Sequence, residues 1–102
     1  MPEHVTFVRL KPLPGKAQAI VDHMNTWERE QKPNAPGWVR TYLVAANDNP
    51  DELMGAIVWD NTANYIANGN RPGQDAWFRG LRANLASDPE WFDGHLLKDW
   101  KA

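Results

Sequence analysis

The sequence predicts a single α+β domain with the element order β-α-β-β-α-β, the second helix in two pieces. Three observations carry this. Short runs rich in β-branched and aromatic residues alternate with stretches whose apolar residues recur at helical spacing. Pro, Gly and Asn clusters punctuate the junctions between them. At 102 residues the chain has the length of one domain, enough to bury roughly two-thirds of its unfolded surface. This order is the split βαβ, ferredoxin-like arrangement: one antiparallel sheet with its helices on one face.

Residues 4–11 (HVTFVRLK) form the first strand, stopped by Lys11 and Pro12. Pro12, Pro14 and Gly15 turn the chain. From Ala17 the apolar positions Ile20, Val21, Met24 and Trp27 follow the spacing of an amphipathic helix, which Pro33 ends. A turn over residues 34–37 leads into the strand WVRTYLVA (38–45), and residues 47–51 read as a hairpin loop longer than the two-residue kind. LMGAIVW (53–59) is nearly all apolar, as in a strand buried on both faces, with Gly55 interrupting it. Asp60, Asn61 or Thr62 caps a short helix through Asn68, and Gly69 stops it. Arg71, Pro72 and Gly73 break the path before a second helix opens at Gln74 and Asp75, with Trp77, Phe78, Leu81 and Leu85 as its apolar stripe. WFDGHLL (91–97) is the last strand, followed by a polar tail.

Helices on one face leave the other uncovered, yet residues 38–45 and 53–59 are apolar on both. A homodimer packing sheet to sheet answers that problem.

The composition narrows function by exclusion. With 11 basic and 13 acidic residues the net charge is -2, so nothing suggests a nucleic-acid partner, whose binders carry a basic face. No cysteine is present, which removes disulfides, thiolate metal sites and a thiol nucleophile. No apolar run approaches the roughly 20 residues that span a membrane, and the N-terminal MPEHVTFVRL lacks a signal-peptide core; a cytoplasmic protein is expected. Six tryptophans are many for this length, and serve either as core or as the walls of a cavity for a flat organic ligand.

Groups able to hydrogen-bond such a ligand concentrate in residues 59–82, WDNTANYIANGNRPGQDAWFRGLR. Trp59 ends a strand, Tyr65 and the asparagines Asn61, Asn64 and Asn68 share a helix, and Trp77, Arg79 and Arg82 lie on the next. With Phe78, Leu81 and Leu85 facing the sheet, Arg79 falls well off that face and Arg82 on its border. His4, His23 and His95 are the groups able to titrate near neutrality. His23, beside Asp22, belongs to a solvated helix face. His4, His95 and Asp93 can meet if the first and last strands are neighbours, as a base or a weak metal site.

The opening strand, the PGK before the first helix, the PGW before the second strand and the W-x₅-Y after the third resemble the antibiotic biosynthesis monooxygenase domains of the dimeric α+β barrel superfamily. The resemblance spans nearly the whole chain. It implies a dimer, and a cofactor-free monooxygenase that holds a cyclic aromatic or phenolic compound between helices and sheet. It places Trp59, Tyr65 and Arg79 as catalytic, and helical phase offers Arg82 as the alternative cation; Asn64, Asn68 and Trp77 are expected from their own positions as further substrate contacts. The family's strand asparagine falls on Gly55, where a void replaces the amide. Haem-degrading relatives are a poorer match: the first strand has no asparagine, their tryptophan falls on Asn68, and residues 74–86 hold no histidine. The competing class is a non-catalytic ligand-binding or structural dimer, told apart by whether a cavity opens beside Trp59.

Overall fold

A computed structural model describes residues 1–102. Four strands, β1 (His4–Leu10), β2 (Trp38–Ala46), β3 (Asn49–Trp59) and β4 (Glu90–His95), form one antiparallel sheet in the order β2-β3-β1-β4. Helices α1 (Ala17–Glu30), α2 (Thr62–Gly69) and α3 (Pro72–Arg82) complete the ferredoxin-like α+β layout, and no helix is long and apolar enough to cross a membrane.

The ladder register fixes the faces. His4 opposes Trp59 and His95, Thr6 opposes Ile57 and Asp93, Val8 opposes Gly55 and Trp91, and Leu10 opposes Leu53. Residues directly opposite share a face, so these line the helix side. At one end of that side Val8, Leu10, Ile20, Leu53, Leu81 and Leu85 make the buried core. The opposite face carries Phe7, Tyr42, Val44 and Phe92, which are 46%, 48%, 57% and 66% exposed. The apolar run 53–59 is therefore not covered on both faces within one subunit: Met54 points away from the helices and is exposed.

Several boundaries differ from the expected ones for local reasons. Only Asn47 and Asp48 lie between β2 and β3, because Ala46 already pairs with Asn49. The expected longer loop survives as a bulge: Pro50, Asp51 and Glu52 have no ladder partner, and the Asn49 side chain accepts the Asp51 N–H at 3.0 Å. Helix α3 starts two residues early because Pro72 suits a first helical turn, whose N–H needs no partner. It ends at Arg82, so Leu85 reaches the core from outside the helix, in a single bridge with Pro12.

Gly37 joins these layers. Its φ is +94°, a conformation that side chains disfavour, and its carbonyl accepts the Asp60 N–H at 2.8 Å. A Cβ there would run into the Asp60 carboxylate and the Asn64 amide. Substituting Gly37→Ala should lower stability by about 2 kcal/mol, from backbone strain and the clash together. Chemical denaturation with an unchanged m-value is the check.

Candidate functional site

Beyond the core, the helices stand off the sheet. The space between is a cleft of about 930 Å³, within the range of small-molecule sites and walled mainly by apolar groups. Its walls are indoles: Trp27 meets Trp38 at 5.4 Å and Trp59 edge-on at 6.2 Å, while Trp77 and Trp91 close the α3 side. Three of these rings are fixed through their N–H groups. Trp27 donates to Gln74 at 2.7 Å, Trp38 to Thr41 at 3.0 Å, and Trp77 to the His23 carbonyl and the Thr26 hydroxyl at 3.2 Å each.

Trp59 is different. It is 2% exposed, and its N–H has no acceptor in the protein. Every buried side-chain polar atom of the chain has a hydrogen-bond partner. The little surface that Trp59 keeps must therefore include its N–H, which opens on the cleft it lines.

Asn68, 8% exposed, offers a second such donor. Its Oδ1 accepts the Arg71 guanidinium at 2.6 and 3.2 Å. A guanidinium can only donate, so the contacted atom is the oxygen and the amide NH₂ is left free beside the cleft. Arg71 also donates to Gln31 at 3.0 Å, tying the end of α1 to the end of α2. Burial pulls its guanidinium below the ordinary value, and no carboxylate pairs with it. That positive charge polarises Asn68 from behind. Sequence reading passed over Arg71 as part of a break. The available signal was Pro72: a residue before proline is held extended, and Arg71 (φ −77°, ψ 136°) is folded back over α2 accordingly.

The other expected site residues are placed elsewhere. Arg79 pairs with Asp75 at 3.0 Å on the exposed side of α3. Arg82 is held by Asp88 at 2.7 Å and the Leu85 carbonyl at 3.0 Å. Neither lines the cleft, because the core-facing stripe of α3 turns both outward. Asn61 caps α2 by accepting the Asn64 N–H at 2.8 Å, and the Asn64 amide donates to Asp60 at 2.8 Å. Gly55 leaves no void: a Cβ there would lie 3.0 Å from Val8, which fills the space. His23 is half-buried rather than solvated, stacked on Trp77 at 4.9 Å and bonded to its carbonyl at 2.8 Å. Trp59, Tyr65, Asn68 and Trp77 are the expected residues that do line the cleft.

Below Tyr65 lies a polar network, buried at His4 and Thr6 and half-exposed at Asp93. Thr6 donates to Asp93 at 2.6 Å, and His4 Nε2 is 2.8 Å from the Thr6 oxygen and 3.6 Å from Asp93. His4 Nδ1 is 3.3 Å from the Thr62 hydroxyl, and its ring stacks on Tyr65 at 4.0 Å. His95 stands opposite His4 in the ladder but is exposed. No group of three or more His, Cys, Asp or Glu is placed to hold a metal ion.

No protein-family model matches the sequence, and no curated protein does. Solved structures match over nearly the whole chain. SnoaB, a cofactor-independent oxygenase from Streptomyces nogalater, is 17% identical with a TM-score of 0.78, covering 97% of each chain. A candidate antibiotic biosynthesis monooxygenase from Caulobacter crescentus is 14% identical with a TM-score of 0.81, over 95% of this chain and 92% of its own. A conserved protein from Methanosarcina mazei, whose name carries no activity, is 15% identical with a TM-score of 0.79, over 93% of each. The fold is that of the antibiotic biosynthesis monooxygenase structures. The resemblance expected from sequence thus holds at the level of architecture.

Burial, then the nearby Asp93 carboxylate, raises the Tyr65 phenol above its ordinary 10.0, with Thr6 acting more weakly in the opposite sense. Tyr65 is therefore a neutral hydroxyl at physiological pH. The raised value also has a stability consequence. An unfolded tyrosine ionises near pH 10 while Tyr65 resists, so its contribution is intact below that pH and is lost as pH rises through the folded value. Relative to wild type, Tyr65→Phe should lose less stability between about pH 8 and pH 11. Urea unfolding at the two pH values measures it.

Proposed function

We propose that this chain is a cofactor-independent monooxygenase of the antibiotic biosynthesis monooxygenase type, acting on a small cyclic aromatic phenol or enol. The observation that carries the reading is the presence of two free N–H donors, on Trp59 and Asn68, among the residues that line an indole-walled cleft. A flat ring stacks between the walls. The donors hold the oxygen on which negative charge develops when that ring loses its proton, and the apolar walls keep water away. The phenolate or enolate is electron-rich enough to reduce O₂ itself. One oxygen atom becomes a ring carbonyl where a CH₂ stood, the other leaves as water, and the ring supplies all four electrons.

Arg71 acts through Asn68: it fixes which end of the amide faces the ligand. The cleft thereby provides a charged environment without placing the cation in contact with the substrate. Each hydrogen bond to an anionic oxygen contributes about 1.5–3 kcal/mol, so Trp59→Phe or Asn68→Leu should weaken phenolate binding by about 10- to 150-fold.

The experiment is a tryptophan-fluorescence titration with polycyclic phenols, first under nitrogen and then under air. Saturable quenching with oxygenated product only under air is expected. Quenching without product would identify a binding protein, and the absence of any quenching would sink the cleft as a ligand site.

The uncovered sheet face supports a homodimer. Phe7, Tyr42, Val44, Met54 and Phe92 form a contiguous apolar patch across all four strands, which a free subunit would expose to water. A second copy packed on it buries the patch while the clefts stay open on the outer sides. Phe92→Asp places a charge at the most exposed of these aromatics and should convert a dimer to a monomer by light scattering coupled to size exclusion. A wild-type protein that is monomeric at micromolar concentration would remove this part of the reading.

A further inference from the structure

Resting on the reading of the cleft as a phenol site, we infer that Gln74 is a second recognition point within it, taking an uncharged oxygen across the ring from the one that ionises. The ligand is then a phenol with a second acceptor oxygen (ether, hydroxyl or carbonyl) on the far side of its ring. Gln74 lies in the first turn of α3 and lines the cleft. Its Oε1 accepts the Trp27 N–H at 2.7 Å. An indole N–H only donates, so the contacted atom is the oxygen and the amide NH₂ is left over. That NH₂ has no partner in the protein, whereas every buried side-chain polar atom has one. It is therefore accessible, on a residue that lines the cleft.

Asn68 and Gln74 are built alike. In each, a group that can only donate holds the amide oxygen and leaves the N–H pair free: Arg71 at Asn68, Trp27 at Gln74. Both holders are seated on α1. Trp27 belongs to that helix, and Arg71 donates to Gln31, four residues further along it. The Gln31 N–H bonds to the Trp27 carbonyl at 2.8 Å, so the helical turn between them is complete. Residues four apart on a helix are neighbours on one face, on the order of 5–6 Å from each other. The two amides are thus offset along α1 by about one helical turn. Oxygens on adjacent ring carbons are too close together to meet both. Oxygens on opposite sides of a ring are far enough apart.

Charge tells the two positions apart. Asn68 is backed by the Arg71 guanidinium. Gln74 stands between acids: Glu28 follows Trp27 on α1, Asp75 follows Gln74 on α3, and both are exposed residues of the cleft lining. Asp75 is paired with Arg79 at 3.0 Å, and Glu28 makes no ion pair. A phenolate oxygen beside Gln74 would face that negative charge, which disfavours a second anion nearby. An ether or carbonyl oxygen accepts the same N–H without that penalty. The ionising oxygen therefore belongs at the Asn68 end and the neutral one at the Gln74 end. A ligand carrying both is held one way round, and that orientation fixes which ring carbon stands ready for O₂.

The test uses the whole protein under nitrogen with 4-methoxy-1-naphthol and 4-ethyl-1-naphthol, which share a shape and differ by one oxygen. Tryptophan-fluorescence titration gives the ratio of their affinities for wild type, Gln74→Glu and Asn68→Leu. Gln74→Glu keeps a carboxylate oxygen for the Trp27 N–H and removes only the NH₂. A role confined to bracing Trp27 would therefore leave the ratio where it was. The expected result is a fall of about 2- to 10-fold in the preference for the ether, while Asn68→Leu weakens both ligands alike. On wild type, the Gln74 side-chain NH₂ resonances should move downfield with the ether beyond any shift the ethyl compound causes. An unchanged ratio, or NH₂ resonances that respond equally to both, would overturn the role of Gln74 and leave the cleft reading standing. Failure of both naphthols to bind wild type would overturn the cleft reading itself. The resonance comparison needs no variant to fold, so it decides the matter if Gln74→Glu does not.

Discussion

The structure depends on the inward face of β1. Read from its start, that face presents His4, Thr6, Val8 and Leu10, so half-way along it changes from polar to apolar. The apolar half nucleates the packed core with Ile20, Leu53, Leu81 and Leu85. The polar half cannot be covered by apolar side chains without orphaning buried donors and acceptors, at about 1–3 kcal/mol each. It is satisfied instead by Asp93 from the neighbouring edge strand and Thr62 from α2. The helices consequently close on the sheet at one end and stand away from it at the other. Core and cleft are two consequences of one strand's sequence.

That division also explains why the tryptophans resist a single description. Trp27, Trp38 and Trp77 each have their N–H engaged locally, which holds the ring plane at a fixed angle while leaving one face toward the cleft. They are structural in their polar atom and available in their surface. Trp59 has the reverse allocation: its ring is almost wholly buried and only its N–H is unspoken for. Aromatic walls that cannot rotate keep the cleft from collapsing when it is empty, and lower the ordering cost of taking up a flat ligand.

The architecture was legible because it is written in period and punctuation. The alternating strands, the stripe of α1 and the proline and glycine breaks each read correctly from a few neighbouring residues. Positions on the sheet were legible too: the even spacing that sets Gly55 and Trp59 on one face is a property of any strand. What could not be read was which polar side chain meets which. Asn61, Asn64 and Asn68 look alike on a helix, yet one caps, one braces Asp60 and one faces the cleft; the choice is made by Gly37, Asp60 and Arg71, far away or across a turn. Gly55 read as a void because the neighbour that fills it, Val8, belongs to another strand. Arg79 and Arg82 drew attention as cations on the expected helix, whereas the cation bonded to a cleft residue, Arg71, lies in the turn before α3.

This last substitution has a physical logic. A guanidinium in direct contact with a phenolate would stabilise the anion strongly, but would also hold its electrons tightly and raise the cost of their transfer to O₂. An amide N–H polarised by a cation behind it gives a smaller, directional stabilisation. The desolvation of Arg71 is borne by Asn68 and Gln31, both neutral, so its charge is not cancelled by a carboxylate before reaching the cleft. The charge of Arg71 thus reaches the cleft from the helix side, through a directional amide. The two-layer fold leaves room for that arrangement because its helices and its sheet close on each other at only one end.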